Sequence, residues 1–284
     1  MSAVSLLIPS RCALGENPLW DESKGTFYWT YIDAGEVHAW HEATGQTRRI
    51  YQGPKVGGFT LEADGALALF RITDIARLDE NGRITRTVPF SDDGAERFND
   101  VTADPHGRVF AGTIGRSDTS GGVFRFDPDG RGRLLFRGTG VSNGMGFSPD
   151  LRTFYWTCST TCRIFAFDYA TDSGEISRQR LLYEATPAEG IPDGLCLDTA
   201  GGIWSARWDG SRLVHHQPDG TVDREIAIPA LRTTSCCFGG PKLDQLFVTS
   251  SRGSDEPPDS PAGGIFRVTG AGQGRPVRRS HLFC

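Results

Sequence analysis

The sequence predicts an all-β fold, a six-bladed β-propeller with four antiparallel strands in each blade. Three observations predict it. A strand, turn, strand unit recurs six times, with starts roughly every 40 to 50 residues. Glycine is abundant at 36 residues and methionine scarce at 2, which suits many tight turns and few helices. No stretch keeps an apolar helical period for the ~10 residues a helix needs.

The clearest copy is 142–157, SNGMGFSPDLRTFYWT. Its first run is Gly144-Met145-Gly146-Phe147. Ser148-Pro149-Asp150 has turn chemistry, because proline presets φ and aspartate can bond its own downstream backbone. The returning run, Thr153-Phe154-Tyr155-Trp156-Thr157, is β-branched and aromatic, as strands prefer. The other copies, in order, begin at Pro18-Leu19-Trp20, Phe59-Thr60-Leu61, Val101-Thr102-Ala103, Leu195-Cys196-Leu197 and Cys236-Cys237-Phe238. Their returning strands are Phe27-Tyr28-Trp29, Leu67-Ala68-Leu69, Val109-Phe110-Ala111, Ile203-Trp204-Ser205 and Leu246-Phe247-Val248. Between copies lies a second hairpin. Val37-His38-Ala39-Trp40 followed by Thr47-Arg48-Arg49-Ile50 is one, and Gly122-Val123-Phe124-Arg125-Phe126 and Ile164-Phe165-Ala166-Phe167 open two more. Four strands in each of six units is propeller arithmetic. Val4-Ser5-Leu6-Leu7-Ile8 has no unit of its own and is expected to complete the last blade, which removes the open edges. All 284 residues are then one propeller domain, 1–284.

Composition excludes several roles. Net charge is −5 and no Lys/Arg block occurs, so neither nucleic acid nor an anionic membrane is an expected partner. MSAVSLLIPS lacks a basic n-region, and no apolar stretch approaches ~18 residues. Seven scattered cysteines fit reduced thiols in a cytoplasmic protein, and neither Cys158-x3-Cys162 nor Cys236-Cys237 has zinc-finger spacing. The expected partner is a small-molecule substrate, and the expected state a monomer or weak homo-oligomer.

Topology then places the polar residues. If each first strand is innermost and runs from one face of the disc to the other, residues just before it share a face with residues just after the second strand. The pre-strand positions are Glu16, Asn99, Asn143 and Asp193; the post-strand positions include Tyr31, Cys158 and Arg207-Trp208. The connections 115–121 and 251–264 should overhang that face, the second stiffened by Asp255-Glu256-Pro257-Pro258-Asp259-Ser260-Pro261. Two carboxylates and two amides offer hard oxygen, which suits one divalent ion such as Ca²⁺, Mg²⁺ or Mn²⁺, with Zn²⁺ or Fe²⁺ as further candidates. Such an ion polarises a carbonyl and activates water, as ester or lactone hydrolysis requires. Asp193 can alternatively act as general base. Arg97, two residues before Asn99 in extended chain, should point to the same side and bind a substrate hydroxyl or carboxylate. Asparagine before glycine or aspartate also serves ordinary turns. The histidines, His38, His41, His106, His215, His216 and His281, fall on outer strands or loops, and no G-x-S-x-G elbow occurs.

These strings resemble the SMP-30/gluconolactonase/regucalcin-like (LRE-like) family of six-bladed propellers. The matching stretches include Leu14-Gly15-Glu16-Asn17-Pro18-Leu19-Trp20, Gly57-Gly58-Phe59-Thr60-Leu61, Arg97-Phe98-Asn99-Asp100, Ser142-Asn143-Gly144-Met145-Gly146-Phe147 and Ile191-Pro192-Asp193-Gly194-Leu195. Trp204-Ser205-Ala206-Arg207-Trp208-Asp209-Gly210 and Phe238-Gly239-Gly240-Pro241 complete coverage of all six blades. The resemblance implies a divalent metal at the channel mouth held by Glu16, Asn143 and Asp193, with Glu16 and Asp193 the catalytic carboxylates. Asn99 and Arg97 would bind substrate, Asn99 also within reach of the metal. The implied activity is hydrolysis of sugar lactones. Two positions depart from the family pattern, which carries aspartate where this chain has Tyr31 and Cys158. Either both are structural replacements, or they rebuild a less polar substrate pocket. The alternatives to a lactonase are therefore a metal-dependent lyase or isomerase, or a non-catalytic ligand-binding propeller.

Overall fold

The computed structural model describes residues 2–284. It forms six four-stranded antiparallel sheets. The inner strands are Gly15–Asp21, Gly58–Leu61, Ala95–Ala103, Ser142–Phe147, Ile191–Leu197 and Arg232–Gly239. Each touches the inner strand of the next blade, and the sixth touches the first, so the six close a ring around a central channel. The expected hairpins are all present; the 142–157 copy becomes Ser142–Phe147 and Thr153–Cys158. In the first five blades the strands run outward in chain order. The sixth is built from both ends of the chain. Its outermost strand is Ala3–Ile8, paired antiparallel with Ile265–Thr269.

Local chemistry explains the turns that join inner and second strands. Asp104 Oδ1 accepts the backbone N–H groups of His106 at 2.8 Å and Arg108 at 3.0 Å, and Gly107 takes φ +77°. Asp198 does the same for Ala200 and Gly202, at 2.9 and 2.8 Å, with Gly201 at φ +91°. In the fourth blade Asp150 Oδ1 accepts from the Arg152 N–H at 3.2 Å, the downstream bond expected of Ser148-Pro149-Asp150.

The core lies between blades. Trp20, Phe27 and Trp29 of the first blade pack with Phe247 and Ile265 of the sixth. Trp204 and Leu213 of the fifth pack with Phe238, Leu246 and Phe266 of the sixth. Apolar burial is therefore the glue from blade to blade, while hydrogen bonds hold each sheet. Helix is confined to the 3-10 turns Ser159–Thr161 and Pro187–Glu189 among the described residues, and no helix is long and apolar enough to cross a membrane.

Beyond Ile265–Thr269 the chain crosses the face at which the inner strands end and fastens onto Glu62, just past the second blade's inner strand. Glu62 is fully buried, and its carboxylate accepts the N–H groups of Leu282 at 3.3 Å and Phe283 at 2.9 Å. Leu282 packs into the cluster of Phe98, Phe124 and Phe126. Glu62→Ala should leave those amide groups without an acceptor and lower stability by about 3 kcal/mol. Chemical denaturation checks it; a loss under about 1 kcal/mol would mean the tail anchors elsewhere.

Candidate active site at the bulged ends of the inner strands

Glu16, Asn99, Asn143 and Asp193 lie within the inner strands, not ahead of them as the sequence suggested. Each sits at a register break. Phe98 pairs with Thr113 and Val101 with Ala111, so three steps on the inner strand oppose two on its neighbour. The same extra residue separates Glu16↔Thr30 from Leu19↔Tyr28, Ser142↔Cys158 from Met145↔Trp156, and Pro192↔Arg207 from Leu195↔Ser205. A bulge keeps the ladder on both sides and frees the intervening side chains from the sheet's alternation. That is why three strands can turn a polar residue, Asn99, Asn143 or Asp193, toward the axis without ending; in the first blade Asn17 takes the equivalent place, and Glu16 is the paired residue just before the break. The second blade pairs regularly from Gly58 to Leu61 and contributes none. Glycine follows two of the site residues because the neighbouring strand is close: a Cβ on Gly144 would lie 2.5 Å from Leu195 N.

Hydrogen bonds join these residues into one network. Arg97 Nη1 donates to Asn99 Oδ1 at 2.8 Å and to Phe98 O at 2.9 Å, so arginine and asparagine do share a side. Asn99 Nδ2 donates to Ser142 O at 2.9 Å and to Asn143 Oδ1 at 3.0 Å. Asn143 Nδ2 donates to Ser159 Oγ at 3.0 Å, and Ser159 Oγ donates to Pro192 O at 2.6 Å. Three blades are thereby tied together, and the Asn143 amide is fixed from both ends. Asn17 extends the ring to the second blade, accepting from Phe59 N at 2.6 Å.

The carboxylates are less well served. Asp193 is 4% exposed, and its buried Oδ1 has no hydrogen-bond partner. Glu16 is 8% exposed and accepts only its neighbour's amide, Asn17 N at 3.2 Å. Burial first, then the charge of Asp100, pushes the Glu16 carboxyl up to about 8, with Arg97 opposing. Burial, then Glu16, then Asp100 raise Asp193 well above the usual carboxylate range. Burial raises Asp100 to about 7. Three acids near one axis, one with an orphaned oxygen, are what a cation would relieve. Glu16, Asn143 and Asp193 offer it two carboxylates and an amide oxygen with a lone pair left over. Among the described residues no three His, Cys, Asp or Glu side chains form a ligand set by themselves.

Two residues of this site, Asp100 and Ser159, carry little signal in the sequence. Asp100 occupies the bulge position that is glycine in the next two blades, and that contrast was its one signal. Ser159 follows the second strand of the fourth blade and has no local signature. Tyr31 and Cys158 are the last residues of their second strands. Tyr31 is half-buried against the Trp29–Phe247 cluster. Cys158 is 2% exposed, packs with Trp156 and Phe167, and sets its thiol 3.2 Å from Thr139 Oγ1. Neither belongs to the hydrogen-bonded network. The 251–264 connection is stapled at the rim by Arg232, bidentate to Asp255 at 2.8 and 2.9 Å.

The sequence profile of the SMP-30/Gluconolactonase/LRE-like region matches residues 14–252. The chain belongs to this family. Within it, the chain is 36% identical to the pentonolactonase of Haloferax volcanii over 98% of both proteins. It is 32% identical to regucalcin of Homo sapiens over 96% of both. A calcium-binding regucalcin from Agrobacterium tumefaciens has a solved structure that superposes with a TM-score of 0.90 at 26% identity, covering 98% of this chain and 97% of that one.

The acid cluster gives this family member a testable pH signature. Glu16 and Asp100 have ordinary values of 4.5 and 3.8 but hold their protons to about 8 and about 7 in the folded chain. The folded state therefore binds more protons in that window. Its share of stability is full at acid pH and is lost as pH rises through 7 and 8. In chelator, Glu16→Gln should raise Tm, by an increment that grows from about pH 5 to about pH 9. An increment independent of pH would mean Glu16 is not buried among acids.

Proposed function

We propose that the protein opens cyclic esters, sugar lactones foremost, at this site, with one divalent cation held by Glu16, Asn143 and Asp193. The observation that carries the reading is the orphaned Oδ1 of Asp193, buried beside a second carboxyl with nothing to neutralise it. Oxygen and amide donors favour a hard ion of the Ca²⁺, Mg²⁺ or Mn²⁺ type. The family relationship to a pentonolactonase supports the substrate class.

When bound, the cation would polarise the ester carbonyl and make water more acidic. The chain's own residues do the rest. Asp193, through the carboxylate oxygen it does not lend to the cation, would receive the proton of the attacking water. Arg97 uses Nη1 for Asn99 and Phe98, which leaves its other nitrogens for hydroxyl or carboxylate oxygens of the substrate. Asn99 orients its two neighbours, since its amide already bonds Arg97, Ser142 and Asn143. Ser159 holds the Asn143 nitrogen and so presents the amide oxygen to the axis. The second reading, a lyase or isomerase with a rebuilt pocket, gains nothing from Cys158, whose thiol faces the packing between blades.

Ring opening of aldonolactones, followed by acid release, should depend on added Mn²⁺, Mg²⁺ or Ca²⁺ and stop in EDTA. Asp193→Asn should cut kcat by about 100-fold or more. Activity unaffected by exhaustive chelation would defeat the reading. Ser159→Ala should weaken cation binding about 10-fold by calorimetry while Ser159→Thr retains it; equal affinities would leave the serine without a positioning role.

A further inference from the structure

Further along the inner strands of the fifth and sixth blades, two thiols face each other. Cys196 Sγ lies 3.5 Å from Cys236 Sγ. Within their own sheets Cys196 pairs with Trp204 and Cys236 with Val248, so the thiols meet across the seam between blades. Both border a cavity of about 200 Å³ in the channel, whose wall also includes Asp100, Met145 and Arg278. No step of lactone hydrolysis uses them.

We propose that Cys196 and Cys236 are a modification site, oxidised by a peroxide to a disulfide that joins the fifth and sixth blades. One sulfur, as thiolate, attacks the peroxide O–O bond; it becomes a sulfenic acid and the leaving oxygen departs as water after taking a proton. The second sulfur then attacks the sulfenic sulfur, the S–S bond forms, and the sulfenic oxygen leaves as a second water. Two thiols lose two protons and two electrons, and one hydrogen peroxide becomes two waters. An S–S bond is about 2.05 Å long, so the sulfurs must close by roughly 1.5 Å.

Two features set the site's character. The first is its choice of partner. Cys237 is the next residue on the strand and points the other way, as alternation requires; it packs toward the Trp20 and Trp29 cluster of the first blade. Cys236 packs toward Trp204 and Leu213 of the fifth, where Cys196 is. The second is rate. Burial pushes the Cys196 thiol well up, with the Cys236 hydrogen bond adding to the effect. Thiolate is scarce at neutral pH, and the reaction should quicken in alkali.

The experiment treats the full-length protein with hydrogen peroxide, blocks remaining thiols, and maps the peptides by mass spectrometry with and without a reductant. The expected result is one reducible cross-link between the peptides of Cys196 and Cys236, a loss of the mass of two hydrogens, and faster formation as pH rises. Tm should increase by a few degrees, because the bridge closes a long loop of chain. Cys196→Ser should abolish both the cross-link and the gain in Tm. A bridge through Cys237, a bridge between molecules through Cys284, or oxidation of Cys196 to the sulfinic acid without any bridge would each overturn the proposal. The mapping is done on the unmodified sequence, so it holds even if the variant folds poorly. The pair is independent of the reading given to Glu16, Asn143 and Asp193, and a failure of either leaves the other standing.

Discussion

Closing the ring is the constraint on which the other features rest. Six twisted sheets expose twelve faces, and each face is apolar because it must meet another. An open arc would leave the Trp20–Phe27 face of the first blade and the Phe247 face of the sixth in water. Ala3–Ile8 pairs with Ile265–Thr269 and prevents this, holding the two ends of the arc together with a ladder of hydrogen bonds. The site depends on the same closure. Glu16 comes from the first blade, Asn143 from the fourth and Asp193 from the fifth, and only a complete circle brings the first beside the last.

Within that frame the polar residues are arranged by bulges. A regular strand divides its side chains between two interblade seams and leaves none for the axis. One added residue breaks the alternation, and the repeat of this device at the same register in the third, fourth and fifth blades explains how Asn99, Asn143 and Asp193 converge, with Glu16 just ahead of the break in the first. The arrangement stores unfavourable electrostatics. Burial raises the proton affinity of Glu16, Asp100 and Asp193 where water cannot screen them, and the charge of Asp100 adds to it at Glu16 and Asp193. Such a cluster persists because sheets and seams around it supply stability, a common relation between scaffold and site.

The fold was legible because its signal is periodic. Turn chemistry at Ser148-Pro149-Asp150 and β-branched returns such as Thr153-Phe154-Tyr155-Trp156-Thr157 repeat often enough to be counted. The convergence of Glu16, Asn99, Asn143 and Asp193 followed from topology, since equivalent positions in equivalent units share a face. The bulges did not follow. They change register without changing residue type, and Asn143-Gly144 reads equally well as a turn. Asp100 lies beside Asn99 in a short polar stretch that has no pattern of its own. Ser159 matters through a bond to Pro192 of the next blade, and no local pattern records a contact of that kind. The Glu62 anchor for Leu282 and Phe283 is of the same sort, joining positions some 220 residues apart.

The shared sixth blade also bears on how the molecule is made. Ser5 and Arg267 face each other across 262 residues of chain. During synthesis Ala3–Ile8 emerges before the five blades that follow it, and its partner Ile265–Thr269 emerges after them. Five blades can stack in order as they appear, while a β-edge and the Trp20, Phe27 and Phe247 faces stay uncovered until Ile265–Thr269 has emerged. Vectorial assembly of the propeller thus waits on a single late locking event, and the nascent chain is most vulnerable to association with its neighbours just before that strand emerges.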